Sequence, residues 1–121
     1  MSVPTFKHLT VNEVDGVAIV DFVNADIVYA SDVVQEIGDE LRSLVSQHGY
    51  TNLLLNFETV QYISSTMLAY LTRLQKDIDG IRGHLKLVGL GPTLKDIFRI
   101  GHFDRIFAIY DDEVAAKQAF R

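Results

Sequence analysis

The sequence has no cysteine, only two prolines, few cations and no long apolar run, and each shortage excludes a class of protein. Without cysteine there is neither a disulfide framework nor a thiolate-ligated zinc module. Eleven Lys and Arg stand against 16 Asp and Glu, a formal net charge of −5. Neutralising nucleic-acid phosphate takes a clustered basic surface, whereas these cations are scattered, so nucleic acid is not expected as a partner. No apolar run reaches the roughly 20 residues that cross a bilayer, and Met1 to His8 lacks the basic-then-apolar build of a signal peptide. No membrane association is therefore expected, and the expected location is the cytoplasm or an equivalent reducing compartment. With two prolines, eight dispersed glycines and no repeat or low-complexity tract, nothing marks a linker, and residues 1–121 read as one domain. What is abundant is apolar: 48% of 121 residues. A chain of this length can withdraw roughly two thirds of its unfolded surface from water, enough for a core without metal or disulfide.

The pattern from Phe6 to Val14 and from Val17 to Phe22 is β-like, and Asp15-Gly16 between them suits a tight hairpin turn. Asn24 to Tyr29 has no clear period. Ser31 or Asp32 can cap a helix carrying Val33, Val34, Ile37, Leu41, Leu44 and Val45 at helical spacing, with Gly49 as its stop. Asn52 to Phe57 is short, apolar and bounded by turn formers, which predicts a central strand buried on both faces. Leu68, Leu71, Leu74, Ile78 and Ile81 mark a second helix, Leu85 to Val88 a strand, and Leu94, Ile97 and Phe98 a short helix stopped by Gly101. Ile106 to Tyr110 is the last strand. Asp111, Asp112 and Glu113 open a terminal helix that closes with Lys117 and Arg121, as the helix dipole prefers. The order ββαβαβαβα implies an α/β fold, an open and mostly parallel sheet with an N-terminal hairpin edge and about four helices.

Few of the chemistry-bearing residues converge. His8, His48, His84 and His102 fall in four elements with no metal-ligand spacing, so no metal is expected. Asp32, Glu36, Asp39 and Glu40 share a helix face opposite the apolar stripe and read as solvated charge. Gly89-Leu90-Gly91 begins like a dinucleotide-binding loop, but the third glycine position is Leu94 and the loop comes late, so no cofactor is expected; Pro92 opens the following helix instead. There is no cysteine nucleophile and no serine in a G-x-S-x-G elbow, so the chain is not read as an enzyme. What remains is Tyr62-Ile63-Ser64-Ser65-Thr66-Met67-Leu68, three hydroxyls opening a helix just beyond the carboxyl end of the central strand, where open parallel sheets collect ligands. Capping by Ser64 or Ser65 accounts for one hydroxyl. It does not account for Ile63 and Met67, expected to flank the hydroxyls at an exposed junction.

At this motif, and in the element order from Leu9 to Phe120, the sequence resembles the STAS domain family, the sulfate-transporter and anti-sigma-factor-antagonist fold. The residues that carry the resemblance are LLLNFETVQYISSTMLAYL from Leu53 to Leu71, the G-L-G-P loop, Ile100-Gly101 with Phe103, and Tyr110-Asp-Asp-Glu before an Ala-rich helix. Its short stand-alone length is similar to the bacterial anti-sigma factor antagonists. In that group the segment commonly reads D-S-S-G-L or S-S-A-G-L, and its serine is phosphorylated by an anti-sigma factor that is also a kinase. Matching Leu68 to the motif leucine nominates Ser65, with Ser64 and Thr66 as the alternatives of a one-residue slip. Ser64 stands at the acidic position and Met67 at the glycine, where its side chain is expected either to narrow kinase access or to anchor a partner. The resemblance implies a partner surface of Ile63, Ser64, Ser65, Thr66, Met67 and Gly91, an anti-sigma factor with serine kinase activity as partner, a possible phosphatase, and a monomer or weak dimer. Two other readings keep the fold: a scaffold or adaptor without phosphorylation, and a nucleotide or anion binder in the crevice near Ser64 and Gly91.

Overall fold

The structure, a computed structural model, describes residues 5–23 and 31–120, and of Ser31 and Asp32 the backbone only. The segment Asn24 to Tyr29 and the cap side chains of Ser31 and Asp32 lie outside what is described. β1 (Leu9–Val14) and β2 (Val17–Phe22) pair antiparallel in the register Val14 to Val17, closed by Asp15 at φ 52° and Gly16 at φ 81°. A two-residue turn of this hand needs two left-handed residues, which the Asp-Gly pair supplies. The first strand begins at Leu9 rather than Phe6. The amides of Lys7 and His8 donate to the Glu40 carboxylate at 3.3 and 3.1 Å, and His8 Nε2 donates to Glu36 Oε2 at 2.7 Å. Glu36 and Glu40 thus grip the entering chain and are not the bare solvated charges that their helical position implied.

α1 (Ser31–Ser46) buries Val34, Ile37, Leu41 and Leu44, and Gly49 at φ 73° takes the chain out of it. β3 (Asn52–Asn56), α2 (Ser65–Gly80), β4 (His84–Val88), α3 (Pro92–Ile100), β5 (Ala108–Tyr110) and α4 (Glu113–Ala119) follow. The sheet runs β1-β2-β3-β4-β5, parallel from β2 onward. Leu53, Leu54 and Leu55 are fully buried, as expected of a central strand with helices on both sides. On one face Leu53, Leu55, Leu85 and Leu87 join Ile37 and Leu41 of α1, Leu71 and Leu74 of α2 and Phe98 of α3 in a single core. On the other, Val17, Ile19, Leu54 and Val88 are covered by Ala116 of α4, with Tyr110 and Phe120 at the margin. Lys86 belongs to this second face, 8% exposed, with its ammonium 5.3 and 5.0 Å from the centres of the Tyr110 and Phe120 rings. Two rings facing a cation offer a partial substitute for water.

Two boundaries differ from the sequence pattern. The last strand starts at Ala108, not Ile106, because the chain first makes a tight 3-10 turn at Phe103–Arg105 that brings the Phe103 and Phe107 rings to 6.2 and 5.8 Å from Phe98. Ile81, assigned by period to the apolar face of α2, is its C-terminal cap residue and 46% exposed.

Candidate functional site

The candidate site is the loop between β3 and α2 with the first turn of α2. Phe57 extends the parallel pairing by donating its amide to Val88 O at 2.9 Å, and Asn56 Oδ1 then accepts from Glu58 N at 3.0 Å to turn the chain. Thr59 Oγ1 ties the loop to Phe22 O at 3.2 Å, and Val60 and Ile63 insert into the core. The loop is therefore anchored at both ends and in the middle, so its exposed residues are carried on a fixed frame.

The three hydroxyls have different surroundings. Ser64, in extended conformation at φ −81° and ψ 160°, is the N-cap, its Oγ accepting from Met67 N at 3.1 Å. Ser65 and Thr66 are exposed in the first turn, and among the described residues neither hydroxyl has a partner. No acidic side chain lies in that first turn, so the amide end of the helix, with its partial positive charge, is left uncompensated there. The exposure expected of Ile63 and Met67 is corrected: they are 2% and 1% exposed, members of the main core. A thioether at position 67 packs inward and neither screens Ser65 from outside nor presents an anchor. The apolar side chain next to this motif that does face solvent is Tyr62, 43% exposed.

Gly91 is the exposed N-cap of α3, its carbonyl accepting from Lys95 N at 2.9 Å. With Val60, Gln61 and Pro92 it lines a shallow groove of about 390 Å³ beside the site loop. The glycine that the geometry demands, however, is Gly89. Its φ is 76°, and a Cβ there would stand 2.6 Å from Asn56 Oδ1 and 2.9 Å from Glu58 N. The two loops at the carboxyl end of the sheet approach too closely for any side chain. Across Gly89, Glu58, Asp111, Asp112 and Glu113 line a separate cleft of about 280 Å³ that includes neither Ser64 nor Gly91. Sequence reasoning also missed a groove of about 630 Å³ along α2 in which Ser65 is followed by Ala69, Thr72, Arg73 and Lys76, with Phe103 opposite. The signal was present as spacings of four, three, one and three residues along one helical face.

Comparison with known proteins adds the following. The model of the STAS domain matches residues 8–116. The candidate anti-sigma factor antagonist BtrV of Bordetella bronchiseptica is 28% identical over 113 residues, 93% of this chain and 94% of that one. Among solved structures, TM1081 of Thermotoga maritima, a candidate anti-sigma factor antagonist, superposes with a TM-score of 0.74 at 24% identity over 93% of this chain and 94% of that one. The anti-sigma factor antagonist SpoIIAA in its unphosphorylated form gives 0.70 at 16% identity over 92% of this chain and 96% of its own. The Bacillus protein in its phosphorylated form gives 0.68 at 14% identity over 92% and 98%. Among the described residues no helix is long and apolar enough to cross a membrane.

Proposed function

Because the chain belongs to the STAS domain family, we propose that it is an anti-sigma factor antagonist working as a phosphorylatable partner-switching protein in the cytoplasm. Unmodified, it docks on an anti-sigma factor that is also a serine kinase, and phosphate on Ser65 ends the contact. The chain itself is not the enzyme: the kinase partner brings ATP, and a separate phosphatase restores the free hydroxyl. The observation that carries this reading is the division of labour between neighbours. Ser64 caps the helix, so the exposed Ser65 hydroxyl has no structural duty and can be modified without unmaking α2. Thr66 is equally exposed but does not line the α2 groove, as Ser65 does. A relative of the same fold, SpoIIAA, has been solved in a phosphorylated form, which supports the reading.

Phosphorylation adds about −1.5 to −2 charge. At a helix N-terminus that charge is locally favourable, so its effect falls on the interface through repulsion and desolvation rather than on the fold. The contact surface is then Ser65 and Thr66 with the Gly91 loop, while Ile63 and Met67 hold that surface up from below. The test is phosphosite mapping by mass spectrometry after incubating the purified protein with ATP and a lysate of its source organism, with Ser65→Ala in parallel. Phosphate on Ser65, absent from the variant, is the expected result. Phosphate on Thr66 would move the switch by one residue, and no phosphate under several growth conditions would overturn it in favour of a constitutive adaptor.

A further inference from the structure

Ser65, Ala69, Thr72, Arg73 and Lys76 form one stripe down α2 and, with Phe103, line a groove. From Ser65 to Lys76 the stripe runs roughly 16 Å, three helical turns. Among the described residues four cations, Arg73, Lys76, Arg82 and Arg105, have no carboxylate or ring partner, and the groove holds two of them side by side on one helix. Lys7, Arg42, Lys95, Arg99 and Lys117 each lie within 3.6 Å of a carboxylate, and Lys86 faces two rings. Arg73 and Lys76 are exposed and, among the described residues, have no such partner. Asp77 also borders the groove, but Arg42 Nε holds it at 3.1 Å. On a protein of net charge −5, this groove is a local reversal of sign.

We infer that the α2 groove seats an acidic amphipathic helix of the partner, with its carboxylates toward Arg73 and Lys76 and its apolar side toward Ala69 and Phe103. A straight groove three turns long matches a helix laid alongside, a recurrent mode of recognition. Of the chain's own acidic residues, Glu58 and Asp111 to Glu113 line a cleft rather than a ridge, and on α1 Glu36 and Glu40 are taken up by His8 and by the amides of Lys7 and His8. The regulation of this contact rests on the partner-switching reading. Ser65 lies about 12 Å along the axis from Arg73, more than a Debye length at physiological salt, so phosphate there is not neutralised by the chain's own cation. It repels an acidic occupant from the head of the same groove.

The experiment titrates the isotopically labelled full chain with two synthetic amphipathic helical peptides of identical leucine pattern, one with a Glu polar face and one with Lys. The expected result is amide shifts confined to the stripe and Phe103, with the Glu peptide only. Affinity falls at least about fivefold in Arg73→Glu/Lys76→Glu, because charge complementarity governs such contacts, and likewise on raising salt to about 0.5 M. Lys117→Glu, on α4 across the sheet, leaves it unchanged. Equal binding of the Lys peptide, shifts elsewhere or no shifts would overturn the inference. So would a doubled mass of the protein alone in light scattering that Arg73→Glu/Lys76→Glu abolishes, since that assigns the groove to a second copy. Ser65→Asp is expected to weaken the Glu peptide. If it does not while the double variant does, the docking stands and the switch fails, which separates the two readings.

Discussion

Ser64 and Ser65 are adjacent and chemically identical, and their surroundings set different consequences for removing each. Ser64→Ala deletes the acceptor for Met67 N and is expected to cost about 1 kcal/mol in urea denaturation. Ser65→Ala is expected to stay within about 0.5 kcal/mol, as exposed substitutions without structural partners do. An equal loss in both would mean that the cap is misplaced. The glycines divide in the same way. Gly89→Ala meets a φ of 76° and atoms at 2.6 and 2.9 Å, and is expected to cost more than about 1 kcal/mol. Gly91→Ala, at φ −73° in open space, is expected to cost less, and thermal melting of the two variants side by side checks the order.

At the scale of elements, α2 is held by its buried face. Met67→Ala is expected to destabilise by about 2–5 kcal/mol, the range for buried Met to Ala, where an exposed anchor would cost almost nothing. Phosphorylation of Ser65 is expected to leave circular dichroism and melting nearly unchanged, because the dipole accepts the charge; loss of helix on phosphorylation would sink the electrostatic account of the switch. The entering strand has its own tether. The hydrogen bond from His8, aided by Lys7, holds the Glu36 carboxyl below its ordinary value of 4.5. A carboxyl whose pKa is depressed in the folded state contributes stability above its unfolded pKa and loses it as pH falls through the folded one. Stability is therefore expected to decline as pH drops below about 4.5, and more shallowly in Glu36→Gln. Parallel curves for the two proteins in acid titrations of urea midpoints would refute the tether.

For the whole molecule, the two faces of the sheet are unequally guarded. α1, α2 and α3 cover one, whereas the second depends on the 7 residues of α4 and the rings of Tyr110 and Phe120. Removing residues from 111 onward is expected to expose Val17, Ile19, Leu54 and Val88 together and to produce dye binding and aggregation, since a contiguous apolar patch on a sheet seeks cover. A truncated chain that stays monodisperse would show that α4 is dispensable to the fold. The same asymmetry separates the roles of the two faces, because the site loop and the α2 groove lie on the better guarded side.

The sequence by itself determined the element order, the Asp15-Gly16 hairpin, the double-sided burial of Leu53 to Leu55 and the position of the hydroxyl motif at a helix start. Those features follow from periodicity and turn chemistry, which act over a few residues. Only tertiary structure decided the rest. Ile63 and Met67 are covered because loop and helix close onto a core assembled from distant strands. Glu36 and Glu40 face a segment some 30 residues earlier, Gly89 is required by Asn56 and Glu58 rather than by its own turn, and Arg73 and Lys76 become a groove only with Phe103 beside them. Each of these depends on contacts between residues far apart in sequence, which no local pattern encodes.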